Sequence, residues 1–351
     1  MAVVKSNAYG HGLVDFSREM ERLEANFLGV DSMTEARALR REGVTLPILV
    51  LGYTVPALFA EAARDDVSLT ASAVETLALL FQAKLPKSKP LKIHIKVDTG
   101  MHRQGFLAKD LPKILSILTS KIAHRNRTSP SILIEGLYTH FASAKNPAFP
   151  KDTQNQIIEF RKWTDAFERA GLRPIVHAAA TGATLLYPES HFDMVRIGIG
   201  LYGLWPEREV LEHFRGRITL KPSLVWKSVL SEVKRLPKGS RVGYGLTETL
   251  EEDSTVAVVP VGYWHGYPRA LSSIGRVLVG GKECKVLGVV SMDMISVDVS
   301  QVKNPRAGDE VVVMGDDDTS PCSATGISES TGLWWYETVT RLNPLIKRIY
   351  K

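Results

Sequence analysis

The chain has 351 residues, 44% of them hydrophobic and 23% charged, with a formal net charge of +6. That length holds one large α/β barrel or two ordinary domains, and it buries enough surface to need no metal or disulfide as a staple. Its two cysteines, Cys284 and Cys322, make no C-x-x-C pair, which suggests neither a zinc site nor a disulfide framework and points to a reducing compartment.

The first dozen residues lack the charged and apolar regions of a secretory signal. The longest uncharged stretch, residues 43–60, is broken by Pro47, Gly52 and Pro56, so it reads as strand, turn and helix start rather than a membrane span. A soluble, cytoplasmic protein with no membrane partner is expected. Lys84, Lys87, Lys89 and Lys92 alternate with proline and serine and carry no interleaved aromatics, which predicts a solvated loop and no nucleic-acid groove.

In chain order, eight short β-branched runs occupy the first part: AVVKSN, FLGVDS, ILVLGY, VSLTAS, KIHIKVDTG, IEGLYTHF, IVHAA and MVRIGIGLYG. Between most of them lie stretches with apolar residues at helical spacing, such as MTEARALRREG, VETLALLFQAKL, LPKILSILTSKIA and TQNQIIEFRKWTDAFERAG. Near-continuous apolar runs suit strands buried on both faces, and strand-helix alternation suits parallel connections. The pattern predicts an α/β fold class, a (β/α)8 TIM-type barrel over residues 1–215. After Trp205-Pro206 come LVWKSVLSEVKRL, TVAVVPVGY, GRVLVGG, CKVLGVVSMDMISVDV and DEVVVMG, with short glycine turns between them. These predict a mainly antiparallel β domain over 216–351, with one helix from about 325 to 340.

Chemistry in such a barrel collects where strands end. The polar residues expected there are Lys5, Tyr9, Arg103, His140, His177, Thr181 and Arg196, a basic and aromatic set. Asp31 and Asp98 alone do not supply a hard-cation site, and no zinc cluster is present in this set. The set suits an anionic ligand that reacts through a lysine. For Lys5 two readings stand: a solvated surface charge, or an amine closing a buried strand, its pKa lowered by desolvation, that attacks a carbonyl.

AVVKSNAYGHG, KVDTGMHRQGF, EGLYTHFASA, HAAATGA, RIGIGLYG, RVGYG, GYWHGYPR, SMDM and WWYETV, in that order over nearly the whole chain, resemble the alanine racemase family. These are pyridoxal-phosphate enzymes with an N-terminal barrel and a C-terminal β domain. The resemblance implies that Lys5 holds pyridoxal 5'-phosphate and is one of two racemisation bases. The other is Tyr244, linked through His140 to Arg196 at the pyridine nitrogen. Arg103 would contact the cofactor phenolate oxygen and the substrate carboxylate, oriented by Lys96, a lysine the family often carries as a carbamate. Phosphate contacts would come from Tyr9, Thr181, the amides of Gly198 and Ile199, and Tyr336. Met292, Asp293 and Tyr263 would line the substrate pocket. In the family these and the tyrosine base come from a second subunit, which implies a homodimer with shared sites.

The implied reaction is interconversion of L- and D-alanine, supplying D-alanine for peptidoglycan. A broader amino-acid racemase and an inactive cofactor-binding fragment are the alternatives, while Arg196 argues against a decarboxylase on the same plan. Three departures stand out: Trp264-His265 where the family has a small residue and an aspartate, and Ala180 and Thr181 in place of asparagine and serine. The family also carries a segment before the lysine motif, so the barrel reads as N-terminally incomplete, with its first strand open at the chain end.

Overall fold

A computed structural model describes residues 1–86, 89–123 and 132–351, so Lys87 of the lysine-rich loop lies outside the described residues. The chain divides into two units. One comprises Met1–Ala8 and Leu13–Leu220, the other Tyr9–Gly12 and Lys221–Lys351.

The first unit carries β1 (Ala2–Val3), β2 (Leu28–Val30), β3 (Ile48–Val50), β4 (Val67–Ala71), β5 (Leu91–Lys96), β6 (Ile132–Tyr138), β7 (Ile175–Ala180) and β8 (Met194–Arg196). All pair in parallel, and their order in the sheet is their order in the chain. The ring closes where the Val3 amide donates to the Ile197 carbonyl at 2.8 Å and the Ile197 amide to the Met1 carbonyl at 3.0 Å. The first strand, expected to lie open, is therefore hydrogen-bonded on both sides.

β2, β3 and β4 are buried along their whole length, as strands between a barrel interior and a helical coat must be. The helix Met33–Arg41 starts at Ser32, whose hydroxyl accepts the Glu35 amide, and buries Met33, Ala36 and Leu39. Pro150–Arg169 begins on proline and buries Thr153, Gln156, Ile157, Phe160, Trp163 and Phe167, a stripe at three- and four-residue spacing. Short helices at Phe59–Arg64, Thr181–Leu186 and Arg208–Phe214 fill intervals too brief to show a period.

The second unit carries β9 (Trp226–Val229), β10 (Glu232–Leu236), β11 (Arg241–Val242), β12 (Glu248–Thr249), β13 (Ser254–Val259), β14 (Arg276–Val279), β15 (Lys282–Leu287), β16 (Ile295–Asp298) and β17 (Glu310–Met314). Seven form an antiparallel sheet in the order β10-β13-β16-β15-β14-β17-β9, and β11 with β12 makes a separate hairpin. LVWKSVLSEVKRL is thus not one strand. It turns at Leu230-Ser231, so that β9 pairs with β17 and β10 with β13 at opposite ends of the sheet. The fully buried Leu230 is the pivot: its amide goes to the Asp309 carbonyl, the next amide to that of Val258.

The single terminal helix expected from sequence is two, Ala324–Thr331 and Trp335–Thr340. Gly332, at φ 71°, ends the first in the left-handed cap that glycine favours. Cys284 and Cys322 are buried free thiols. Among the described residues no helix is long and apolar enough to cross a membrane.

Candidate active site

The apolar first strand ends at fully buried Val4, and the chain then enters an unusual turn. Ser6, Asn7, Ala8 and Tyr9 have φ of 56°, 57°, 50° and 51°, four consecutive left-handed residues with side chains. Each costs about 1–2 kcal/mol relative to a right-handed residue, so the turn persists only because its surroundings impose it. The Glu35 carboxylate does much of this. Oε1 accepts the amides of Ser6 at 2.6 Å and Asn7 at 3.3 Å, and Oε2 accepts that of Asp31 at 2.8 Å. The Ala8 amide returns to the Val4 carbonyl, and Asn7 Oδ1 accepts the Leu13 amide at 2.9 Å.

Lys5 stands at the start of this turn, with Nζ 3.7 Å from Asp31 Oδ1 and 37% of its side chain exposed. The expectation of a lysine desolvated by its strand is corrected: burial ends one residue earlier, and Lys5 lies where solvent reaches it. Glu35 escaped sequence reading because it acts through backbone amides. Glu35→Ala should lower unfolding stability by about 2 kcal/mol, the worth of charge-assisted bonds to backbone donors, as measured by urea unfolding.

Arg196, the last residue of β8, is 3% exposed. Its Nη2 donates to the carbonyls of Thr139 and Ala178, both at 2.8 Å, and to His140 Nδ1 at 3.1 Å. Its Nη1 donates to His177 Nδ1 at 3.0 Å. Among the described residues no acceptor meets its Nε–H. Burial lowers the guanidinium to about 10, which leaves it a cation at neutral pH. Burial, then the Arg196 charge, holds His140 well below the usual histidine range. His140 is therefore neutral, and because Nδ1 faces a donor its proton sits on Nε2. His177, expected at the barrel mouth, is instead fully buried beneath Arg196.

Lys96 ends β5 at 6% exposure and donates to Gln104 Oε1 at 2.9 Å. Burial first, then Arg103 and Arg196, lower its amine to about 8. Arg103 itself is exposed in the loop that follows. Thr181 opens its short helix, and its Oγ1 accepts the amides of Gly198 and Gly200 at 3.3 Å each. Gly198 precedes the turn Ile199–Tyr202, and a Cβ at Gly200 would lie 2.7 Å from Thr181 Cγ2. Small residues thus draw hydroxyl and amides together, as an anion cradle requires.

These residues of the first unit fit pyridoxal phosphate chemically. They offer an amine at Lys5, a cationic donor with its Nε–H unmet for a ring nitrogen, amides and a hydroxyl for phosphate, and a basic surround.

The remaining candidates belong to the second unit. Burial raises the Tyr9 phenol to about 12, and its ring lies 6.1 Å from that of Tyr336, which stacks on Trp334 at 4.2 Å. The loop is held there by Arg348, which donates to the Gly10 carbonyl at 2.7 Å, and by Tyr350, which donates to that of His11 at 2.6 Å. Tyr244 follows Gly243 (φ 79°) in the turn between β11 and β12 and is 75% exposed. The Tyr263 and Met292 loops are bound together: the Tyr263 amide donates to the Ser291 carbonyl and the Trp264 amide to that of Met292, both at 3.0 Å. A Cβ at Gly262 would lie 2.3 Å from both carbonyls, so only glycine permits this approach. His265 Nδ1 accepts the Gly262 amide at 3.1 Å, so this departure from the family is a local cap. Tyr263, Trp264, Met292 and Asp293 are all exposed.

Residues 1–206 match the family model described as alanine racemase, N-terminal domain, and residues 223–350 that of the C-terminal domain. The chain is 38% identical over 351 residues to an alanine racemase of Methanococcus maripaludis, covering all of this chain and 91% of that protein. It is 36% identical over 352 residues to alanine racemase 1 of Oceanobacillus iheyensis, covering all of this chain and 90% of the relative. Among solved structures, alanine racemase from Clostridium difficile superposes with a TM-score of 0.88 at 30% identity, over 97% of this chain and 86% of that one. The Bacillus anthracis enzyme with bound L-Ala-P does so with a TM-score of 0.86 at 32% identity, over 97% and 85%. With both domain models matched in order, and relatives above 30% identity along its whole length, this chain belongs to the alanine racemase family.

Proposed function

We propose that this protein interconverts L- and D-alanine with pyridoxal phosphate held by Lys5. The observation that carries the reading is Arg196, a buried cation whose Nε–H has no acceptor among the described residues and whose Nη2 bonds His140 at 3.1 Å. When bound, pyridoxal phosphate supplies an electron sink for charge at the substrate α-carbon. A guanidinium at the ring nitrogen donates a hydrogen bond but keeps its proton, which restrains that sink and disfavours transamination.

Lys5 moves the α-proton on one face of the substrate, and Tyr244 from the partner subunit moves it on the other. A free phenol titrates near ~10, so Tyr244 needs cationic or donor neighbours to act at neutral pH. His140 supplies one, since Arg196 fixes its proton on Nε2. Arg103 offers the planar fork that suits a carboxylate. Tyr9, Thr181, Tyr336 and the amides of Gly198 and Ile199 bind the phosphate, while Met292, Asp293 and Tyr263 shape the pocket.

A dimer follows from this division. Tyr244 is 75% exposed, alongside exposed Leu246, Tyr263, Trp264 and Met292, a set of aromatic and apolar loop residues that suits an interface. In the cell the reading makes this a cytoplasmic source of D-alanine for peptidoglycan.

The test is racemisation measured across a panel of L-amino acids. Alanine should be turned over at least about tenfold faster than lysine, arginine or serine, which corresponds to about 1.4 kcal/mol of discrimination by the pocket. Equal rates on lysine would overturn the narrow assignment, and no racemisation of any amino acid would overturn the enzyme reading.

Lys96 carries a further expectation. An amine lowered to about 8 is about a tenth neutral at pH 7, the form that adds carbon dioxide. Protein equilibrated with 13C-bicarbonate should show a carbamate carbon resonance that disappears in Lys96→Gln.

A further inference from the structure

Below Arg196 the barrel interior holds a polar chain that the proposed reaction leaves unused. From Arg196 Nη1 it passes to His177 Nδ1 at 3.0 Å, then from His177 Nε2 to His94 Nδ1 at 2.9 Å, and from His94 Nε2 to Glu135 Oε2 at 3.1 Å. Ser68 donates to the same carboxylate oxygen, and Lys92 lies 3.7 Å from the other. Both imidazoles are fully buried.

The two ends dictate the middle. A guanidinium can only donate and a carboxylate can only accept. His177 must therefore keep Nδ1 bare and carry its proton on Nε2, and His94 must do the same. Both rings must be neutral, because an imidazolium at either position would set N–H against N–H. Burial favours that state, holding His94 low against the pull of Glu135 and His177 lower still.

The backbone is built around this chain. The register of β5 against β6 shifts between Ile93 and His94, and that of β7 against β8 between His177 and Ala180, irregularities that re-aim side chains. Gly136 pairs with His94, and a Cβ there would lie 2.0 Å from His94 Nδ1, so glycine clears the path to His177. Tyr138 then stacks on His177 at 4.7 Å and 6°, with Arg196 Cζ 5.3 Å from the same ring.

We propose that Glu135, through His94 and His177, is the positioning residue that fixes the orientation of Arg196 as a hydrogen-bond donor toward the cofactor. The inference rests on the reading that Arg196 serves the ring nitrogen. No proton leaves the chain; its single hydrogen-bond direction is what holds the guanidinium.

The test reads histidine tautomers by 15N NMR of histidine-labelled protein loaded with pyridoxal phosphate. In the wild-type protein His94 and His177 should be neutral with the proton on Nε2. Glu135→Leu removes the terminal acceptor and Gly136→Ala displaces His94. Each should disturb the His177 tautomer and lower kcat by about 10- to 100-fold with KM for alanine changed less than about threefold, whereas Glu135→Gln, which keeps an acceptor oxygen, should retain tautomers and kcat within about threefold. Transamination relative to racemisation should rise in the first two variants only. An Nδ1 proton or a doubly protonated ring at His94 or His177 in the wild-type protein would overturn the proposal without any variant having to fold. So would Gln and Leu behaving alike at position 135. Failure of the underlying reading is distinguishable, because the wild-type protein would then not racemise alanine whatever its tautomers.

Discussion

Lys5→Ala should abolish racemisation, with kcat falling by at least about four orders of magnitude, as when the reacting group of a concerted catalytic unit is removed. The visible absorbance of bound pyridoxal phosphate should be lost with it. Among the described residues, neither Lys96 nor Lys145 is placed to substitute. Lys96 is buried at the end of β5 and donates to Gln104, and Lys145 lies 3.2 Å from Glu207. Neither is carried by the left-handed turn that presents Lys5. Retained activity with undiminished absorbance would show that the amine at position 5 is not the reacting group.

The second large effect is a restoration. Tyr244→Phe should be nearly inactive in both directions of racemisation, because the proton on one face of the substrate then has no group to carry it. Mixing Lys5→Ala and Tyr244→Phe chains, unfolded and refolded together, should recover activity. If each site takes Lys5 from one subunit and Tyr244 from the other, a mixed dimer has one site with both changes and one with neither. Random pairing makes half the dimers mixed, so about one quarter of wild-type activity should return. A site built within one chain would return none. The 75% exposure of Tyr244 in its own subunit is why the first outcome is expected.

The barrel was legible because its eight strands are continuous apolar runs separated by helical periodicity, a signal that needs no knowledge of partners. In the β domain strands were recognisable but their partners were not. Nothing in LVWKSVLSEVKRL says that its halves pair at opposite ends of a sheet, since alternation reports a strand's faces and not its neighbours. Gly332, which ends the first terminal helix, lies inside the span read as a single helix.

At the site, Arg196 and His140 meet as the family resemblance implied, and both lie at or just after the ends of predicted strands. His177 was misplaced because closing a strand does not say whether a side chain rises to the mouth or points into the barrel. Glu35, Glu135 and His94 were missed. The first works through backbone amides, and the other two sit within strand alternation, where their meeting depends on register shifts that leave no mark in composition.

The loop that follows Lys5 also bears on how the protein comes into being. Tyr9–Gly12 groups with residues beyond 220, and its carbonyls at Gly10 and His11 are bound by side chains 338 and 339 positions further along. A nascent chain can close the barrel strands in order as they emerge, yet the bonds that Arg348 and Tyr350 make to this loop cannot form until almost all of the chain has been made. Contacts so distant in sequence form late and slowly. Cofactor capture should therefore be one of the last events of biosynthesis, and a ribosome-stalled chain carrying only the barrel should bind pyridoxal phosphate poorly.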